Sequence, residues 1–413
     1  MQTQYINEML TIPEVEICQV ICVTDDEVHL KIKPVAYTQC CPSCHSGEEV
    51  IRKGSNGSRT VRHLSIFGKK TYLQVPSIRL YCVLCQVGFV WSYGFVGPKK
   101  RYTWLFENQV TEQSFGSTVA HSALMQQTPA STVQRMHCAA IPLESARLSE
   151  QAWHQAKESK GLVLGVDDFA IKKGHRYNTG IHDLKGGTML DLLPGRTLRD
   201  LRDYDTQHPI FRQLNPKVVV MDLAPSYHKW ISECFPNAIR TADRFHVHGY
   251  VIQALQTVRK SVQGELPPRA KTLLKANHQL LNPQWNLLQE ESKKRLKQLL
   301  SLSPLLCSVW EWKEAFTAWY DESPDVLIAT RRFKQWCEQG ERIGHPAVTR
   351  ALKTMHNWQE EIINYHRCRW TNATVEGRHN RIKAFQRRHY FTRNHDYYKA
   401  GILVECNRHQ LSG

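Results

Sequence analysis

No stretch of this 413-residue chain approaches the roughly 20 apolar residues needed to span a bilayer. The opening Met1-Gln2-Thr3-Gln4-Tyr5 carries no basic-then-apolar leader pattern, so the expectation is a cytosolic protein. The sequence contains no internal repeat and no low-complexity tract, which excludes solenoid and filament architectures. Its 13 cysteines are odd in number and mostly single, which argues against a secreted disulfide framework. Acidic residues are in short supply, 38 against 54 Lys and Arg, for a net charge of +16. That imbalance favours a polyanionic partner through counterion release, an anionic membrane surface being the alternative. The length suffices for two to four domains.

Pattern divides the chain into five stretches. Residues 1–100 are rich in strands and turns, with alternating runs at Val28–Ile32 and Thr71–Val75. Residues 101–157 turn helical and polar, and 161–247 alternate apolar strands with helical segments, an α/β signature. Residues 248–366 read as amphipathic helix rich in Leu, Gln, Lys and Trp, and 367–413 as a basic helix and its continuation.

Two Cys-x-x-Cys knuckles stand out, Cys41-Pro42-Ser43-Cys44 and Cys82-Val83-Leu84-Cys85. Each presents two thiolates to one tetrahedral zinc, with intervening strands forming a ribbon. A redox pair or buried free thiols is the plainer reading, and Cys40, His45 and His63 are neighbours that a four-thiolate site does not need. After the ribbon, Thr103–Phe115, Ser117–Gln126 and Ala130–Cys138 read as three helices. The turn Gln126-Gln127-Thr128-Pro129 would lead into a recognition helix carrying Gln134 and Arg135, a helix-turn-helix arrangement.

Three acids lie in distinctive runs. Asp167 follows the apolar Leu162–Val166, Asp222 follows Val218–Met221, and Glu376 opens a basic helix within Thr371–Asn380. Two carboxylates at neighbouring strand ends and a third from a helix can hold two magnesium ions about 4 Å apart, clamping a phosphodiester. Asp168 competes with Asp167, but successive strand residues face opposite sides, and Asp167 is preferred. Asp183 is placed on the next strand, while Asp191 and Asp205 read as strand-end and surface residues. Asp243 reads as a helix cap, and His246 as a structural histidine more readily than a phosphate contact. Glu376, Asn380 and Lys383 share one helix face. Between 367 and 399 nine Lys and Arg stand against two acids, interleaved with Trp370, Phe385, Tyr390, Phe391, Tyr397 and Tyr398. The segment from Arg378 to Lys399, with Arg387 and Arg388, is therefore expected to contact DNA backbone.

Taken together, Gly165–Ala170, Lys172–Tyr177, Asp191–Arg196, Met221-Asp222, Phe235–Ala238, Asp243–Val247 and Asn372–Arg388 resemble the ISL-three family of bacterial insertion-sequence transposases. The resemblance covers almost the whole length. It implies an RNase H-like core carrying a DDE triad of Asp167, Asp222 and Glu376, and movement of a short element by cut-and-paste or copy-out. A Glu often follows the first Asp in that family, where this chain has Asp168, so the choice between Asp167 and Asp168 stays open there. The family also places a helical insertion between the second Asp and the Glu.

The expected fold is thus multidomain α+β: zinc ribbon, helix-turn-helix, and an RNase H-like α/β core interrupted by an all-helical insertion. The expected function is a DDE-type transposase that binds terminal inverted repeats, nicks them and transfers strands, with two Mg (or Mn) ions and one structural Zn. Its partners would be double-stranded DNA of element ends and target, in a homodimer or larger assembly, without membrane or small-molecule substrate. The cell compartment would be the bacterial cytoplasm, at the nucleoid when bound to DNA. Two rivals remain: a non-catalytic regulator, which would lack magnesium-dependent nicking, and a structure-specific nuclease, which would cut branched DNA without joining ends.

Overall fold

The computed structural model describes residues 7–8, 10–172, 176–389 and 394–411; the side chains of residues 170–172, 176, 376 and 389 also lie outside the described set. The chain divides into two compact units, Met1–Ala140 and Ile141–Gly413. It is a mixed α/β multidomain protein with a four-cysteine cluster near its start and a helical C-terminal region.

In the first unit, strands β1 (Val15–Val23), β2 (Glu27–Pro34), β3 (Val50–Ile66), β4 (Lys69–Cys82) and β5 (Val87–Val90) form one sheet. The order is β1-β2-β4-β3, with β5 paired to β4. Alternation puts Leu30, Ile32, Val61, Leu73 and Val75 into a common core, almost wholly buried. The long β3–β4 hairpin turns on Phe67 and Gly68, both at positive φ, as a two-residue turn that matches strand twist requires. Helices α1 (Trp104–Gly116), α2 (Val119–Met125) and α3 (Ala130–Glu158) follow. Thr103 and Thr118 cap the first two by accepting from Phe106 N and His121 N. Phe106, Val110, Ala123, Val133 and Met136 make their small shared core.

The third helix does not stop at Cys138, as the sequence had suggested, but continues to Glu158. Residues 139–157 contain no glycine to end it, and Ile141, Leu148, Ala152 and Ala156 prolong its buried stripe. Even Pro142 is accommodated inside it.

The second unit is built on a sheet of order β10-β9-β6-β7-β8. Its strands are β6 (Leu162–Lys172), β7 (Arg176–Asp183), β8 (Thr188–Pro194), β9 (Pro216–Met221) and β10 (Ile239–Ala242). The first three form an antiparallel meander; β9 then runs parallel to β6, and β10 parallel to β9. Helices α4 (Leu198–Gln207) and α5 (Pro225–Cys234) occupy the β8–β9 and β9–β10 connections. Seven helices follow β10: α6 (Arg244–Glu265), α7 (Pro268–Asn277), α8 (Glu290–Leu300), α9 (Pro304–Glu322), α10 (Val326–Ile343), α11 (Pro346–Asn357) and α12 (Gln359–Cys368). They share an aromatic-rich core in which Trp312 and Trp336 stack at 4.5 Å, each indole N–H donating to the other's carbonyl. The chain then returns to the sheet as α13 (Ala373–His389) and α14 (His395–Leu411), whose Ile382, Phe385, Tyr398 and Ile402 pack on Phe169, Met189 and Leu192.

Two acids read as peripheral are internal. Asp191 lies mid-strand in β8, buried on both sides, and accepts from Tyr204 Oη at 2.9 Å and Lys399 Nζ at 2.6 Å. Asp205 lies on the buried side of α4 and pairs with Arg212 at 2.6 Å.

Candidate functional site

The register of the second sheet determines which acids meet. Val166 pairs with Met221 across the parallel β6 and β9, so the residues that follow, Asp167 and Asp222, emerge side by side on one face. Asp222 lies just past β9 as expected, whereas β6 pairs on with β7 as far as Lys172 and leaves Asp167 mid-strand. One ligand atom from each of Asp167, Asp222 and His246 lies within 4.8 Å of the others. Asp168 leaves on the opposite face, where it accepts from Arg196 at 2.8 Å.

His246 arrives because β10 runs directly into α6. Asp243 caps that helix by accepting from His246 N, and its own N–H donates to Met221 O, tying the helix start to the end of β9. The imidazole Nδ1 then stands 2.8 Å from Asp222 Oδ1 and 3.0 Å from Asp243 Oδ2. These carboxylates, Asp222 first, hold the imidazolium up to about 10. Burial, reinforced by the charge of Asp222, raises the Asp167 carboxyl to about 8, and burial likewise raises Asp222. The reading of Asp243 as a cap captures one of its bonds; it also accepts from Asn372 N at 3.1 Å and from the histidine. His246 is the residue that sequence reasoning undervalued. Its one signal was the spacing from Asp243, which the cap reading absorbed.

Helix α13 closes the site. Its Val375 packs among Val163, Val218 and Val220. His379 Nδ1 lies 3.8 Å from Asp167 Oδ2, and burial pushes this imidazole down to about 4. Gly165 permits the close approach, since a Cβ there would meet Leu184 Cδ2 at 2.7 Å and Asn372 Oδ1 at 2.9 Å. The Glu376 side chain lies outside the described residues, but its helix position falls four after Asn372 and three before His379. Those two residues touch Asp243, through the Asn372 N–H, and Asp167, through the His379 ring.

The basic segment is less open than its composition suggested. Arg381, Lys383, Arg387 and Asn380 are exposed. Arg378 is instead buried against His182 at 3.1 Å, Arg388 pairs with Glu405 at 2.7 Å, and Lys399 is committed to Asp191. Phe385 and Tyr398 belong to the core, because their helices need an apolar face against the sheet; Tyr390 and Phe391 lie outside the described residues. In the first unit, Gln134 and Arg135 are exposed on α3, between the buried Val133 and Met136.

The four thiols of Cys41, Cys44, Cys82 and Cys85 also come within 4.8 Å of one another. One knuckle precedes β3 and the other joins β4 to β5, so hairpin pairing brings them together. Backbone amides of Cys44 and Ser43 lower Cys41 to about 6, whereas the neighbouring thiols, Cys44 first, push Cys85 up to about 12. Four sulfurs this close suit a single tetrahedral cation, which supports a structural zinc. His63 takes no part; it is buried between Thr103 Oγ1 and Leu10 O.

Matches to known proteins span the stretches that hold both clusters. Residues 38–85 match the zinc-finger model of the transposases of IS204, IS1001, IS1096 and IS1165. Over 387 residues the chain is 28% identical to the transposase for insertion sequence element IS1001 of Bordetella parapertussis, an alignment covering 89% of this chain and 88% of that protein. Residues 164–402, more than half of the chain, match the ISL3 model described as a transposase. The chain belongs to the ISL3 family of transposases.

Proposed function

We propose that this transposase cleaves and joins DNA strands at a divalent-metal site held by Asp167, Asp222 and Glu376, after its N-terminal segments have bound the terminal inverted repeats of its element. The juxtaposition of Asp167, midway along β6, and Asp222, just past the end of the parallel β9, carries the reading. The donor set fits the metal: hard carboxylate oxygens, with Asp167 raised to about 8 by burial and then by the charge of Asp222, are a place for magnesium or manganese. A bound pair of such ions supplies Lewis acidity at the scissile phosphate and a lowered pKa for the attacking water or 3′-hydroxyl. The chain's own part is to fix these acids on β6, just past β9 and on α13, and to keep His246 cationic beside them, where it can donate to a phosphate oxygen. No side-chain nucleophile is required.

The meander followed by parallel β9 and β10 supports an RNase H-like core over 161–247 and 367–413, with 248–366 as the helical insertion. The insertion's elements favour slightly wider limits, since α6 starts at Arg244 and α12 ends at Cys368. Residues 1–100 would form the zinc ribbon, with one zinc on Cys41, Cys44, Cys82 and Cys85. Residues 101–157 would include the helix-turn-helix, whose α3 offers Gln134 and Arg135 to base edges. Asn380, Lys383 and Arg387 would meet backbone near the cut, in a dimer or larger assembly on DNA.

The test uses labelled element ends. Magnesium should permit nicking and joining, and chelation should abolish both while end binding persists. Binding without magnesium-dependent cleavage would make the protein a regulator, and cutting of branched DNA without joining would make it a nuclease.

A further inference from the structure

We propose that a basic cleft in the first unit grips one backbone phosphate of bound DNA, with the buried Arg62 as its anchor. The cleft has a volume of about 540 Å³, and Arg59, Arg62, Lys99, Lys100 and Arg101 line it; no acidic residue is among its walls, and of these cations Lys100 pairs with Glu107 at 3.3 Å. Arg62 is 5% exposed, yet no carboxylate lies within ion-pair distance of it among the described residues. Its guanidinium donates to Tyr72 Oη at 3.4 Å and Ser65 Oγ at 3.3 Å and lies over the Tyr72 and Phe106 rings, while Nε has no partner. A guanidinium stays charged at any biological pH, and burying one without an anion is costly. The cost is offset if an anion enters the cleft. A planar fork suits a phosphate, whose oxygens accept two parallel bonds.

The walls are also held in unusual backbone. Lys99 (φ 58) and Gln127 (φ 46) are non-glycine residues in the left-handed region, and both border the cleft. Such strain gathers where a ligand is clamped. The segment bearing Lys99 is fastened to Arg62 itself, which donates to Arg101 O at 2.8 Å and accepts from Thr103 N at 3.0 Å. Gln127 leads into the first turn of α3, whose helix dipole adds partial positive charge. A phosphate there would set the register of the helix that bears Gln134 and Arg135. The cleft exceeds what one phosphate needs, leaving room for the flanking sugars. The inference rests on the reading that this unit binds element ends, but not on the proposed catalysis.

The test measures binding of the full chain to an element end across a salt series. Arg62→Met should weaken binding about tenfold near 0.1 M salt and lower the salt slope by roughly one. Arg62→Lys should keep most of the slope. Without DNA, Arg62→Met should melt at the same temperature or higher, since an unpaired buried charge is gone. Inorganic phosphate should raise the melting temperature of the wild type above a chloride control of equal ionic strength, and not that of Arg62→Met. If Arg62→Met does not fold, Lys99→Ala with Arg101→Ala on the rim should show the same loss of slope. A single methylphosphonate in the DNA that weakens wild type but not Arg62→Met would locate the phosphate. An unchanged slope in both variants overturns the proposal, as does stabilisation by phosphate with DNA affinity intact, which marks an anion site unrelated to DNA. A wild type that binds no element end removes the DNA-binding reading and this inference with it, whatever the catalytic test gives.

Discussion

The cysteine cluster and the carboxylate cluster each gather metal-ligand atoms within 4.8 Å, yet they rest on different supports. The thiols come from two tight turns at one end of a paired set of strands, and the groups that shift them are backbone amides and one another. Nothing in that set supplies positive charge. The carboxylates come from positions dozens of residues apart, brought together by a full sheet, with the His246 imidazolium already between two of them. We infer that one cluster would need its metal in order to fold, whereas the other would fold first and then receive one.

The strongest way to break this contrast is to remove the zinc. Chelation, or Cys41→Ser with Cys82→Ser, should unfold the ribbon, because such small domains draw their folding free energy from the ion. Metal analysis should find one zinc per wild-type chain, and proteolysis of the stripped protein should begin between Cys41 and Cys85. A metal-free ribbon that resists protease would erase the difference between the clusters.

The converse is Asp222→Asn, which should cut strand cleavage by roughly a thousandfold or more while leaving melting temperature and end binding near wild type. Asp167→Asn and Glu376→Gln should behave alike. If Asp222→Asn unfolded the second unit, the carboxylates would be as structural as the thiols. Next in size, Gly165→Ala should destabilise by about 1–3 kcal/mol in urea unfolding, by forcing Leu184 and Asn372 away from β6. Cleavage should fall with it as α13 shifts; an unstrained variant would mean that α13 is not held there.

A titration sharpens the comparison further. Asp167 is raised from 3.8 to about 8, so the folded, metal-free protein holds that proton more tightly than the unfolded chain. This group's share of stability is therefore present at low pH and lost as pH rises from about 4 to about 8. A metal must displace the same proton, so manganese affinity measured by calorimetry should climb with pH by up to about tenfold per unit, levelling near pH 8. Asp167→Asn should flatten the climb. The smallest expected effect concerns the basic helix: Arg387→Ala should lower the salt slope of DNA binding by about one, whereas Arg388→Ala should act through lost pairing with Glu405, seen in melting rather than in slope.

What was legible in the sequence follows the same division. Cys-x-x-Cys turns and Asp after a run of Val or Leu are local patterns, and each was readable from a handful of letters. Burial of Asp191 and Asp205 was not, because it depends on Lys399, Tyr204 and Arg212 arriving from other elements to satisfy the charge. Arg378 and Tyr398 were misjudged for the same reason. A basic or aromatic letter on a helix declares its chemistry, but its direction is set by what the helix covers. His246 combined both difficulties, since its neighbour Asp243 offered a sufficient local account.

The pairing of β6 with β9 has a consequence for how this chain can vary in length. Strand side chains alternate, so inserting or deleting one residue between Pro216 and Met221 would turn Asp222 toward the face that Asp168 occupies and leave Asp167 alone. The same change in the connections on either side of β9 would leave the strand's register intact. Insertions and deletions in natural or engineered variants should therefore cluster in connections and avoid these six positions, a reading frame written in backbone pairing rather than in codons.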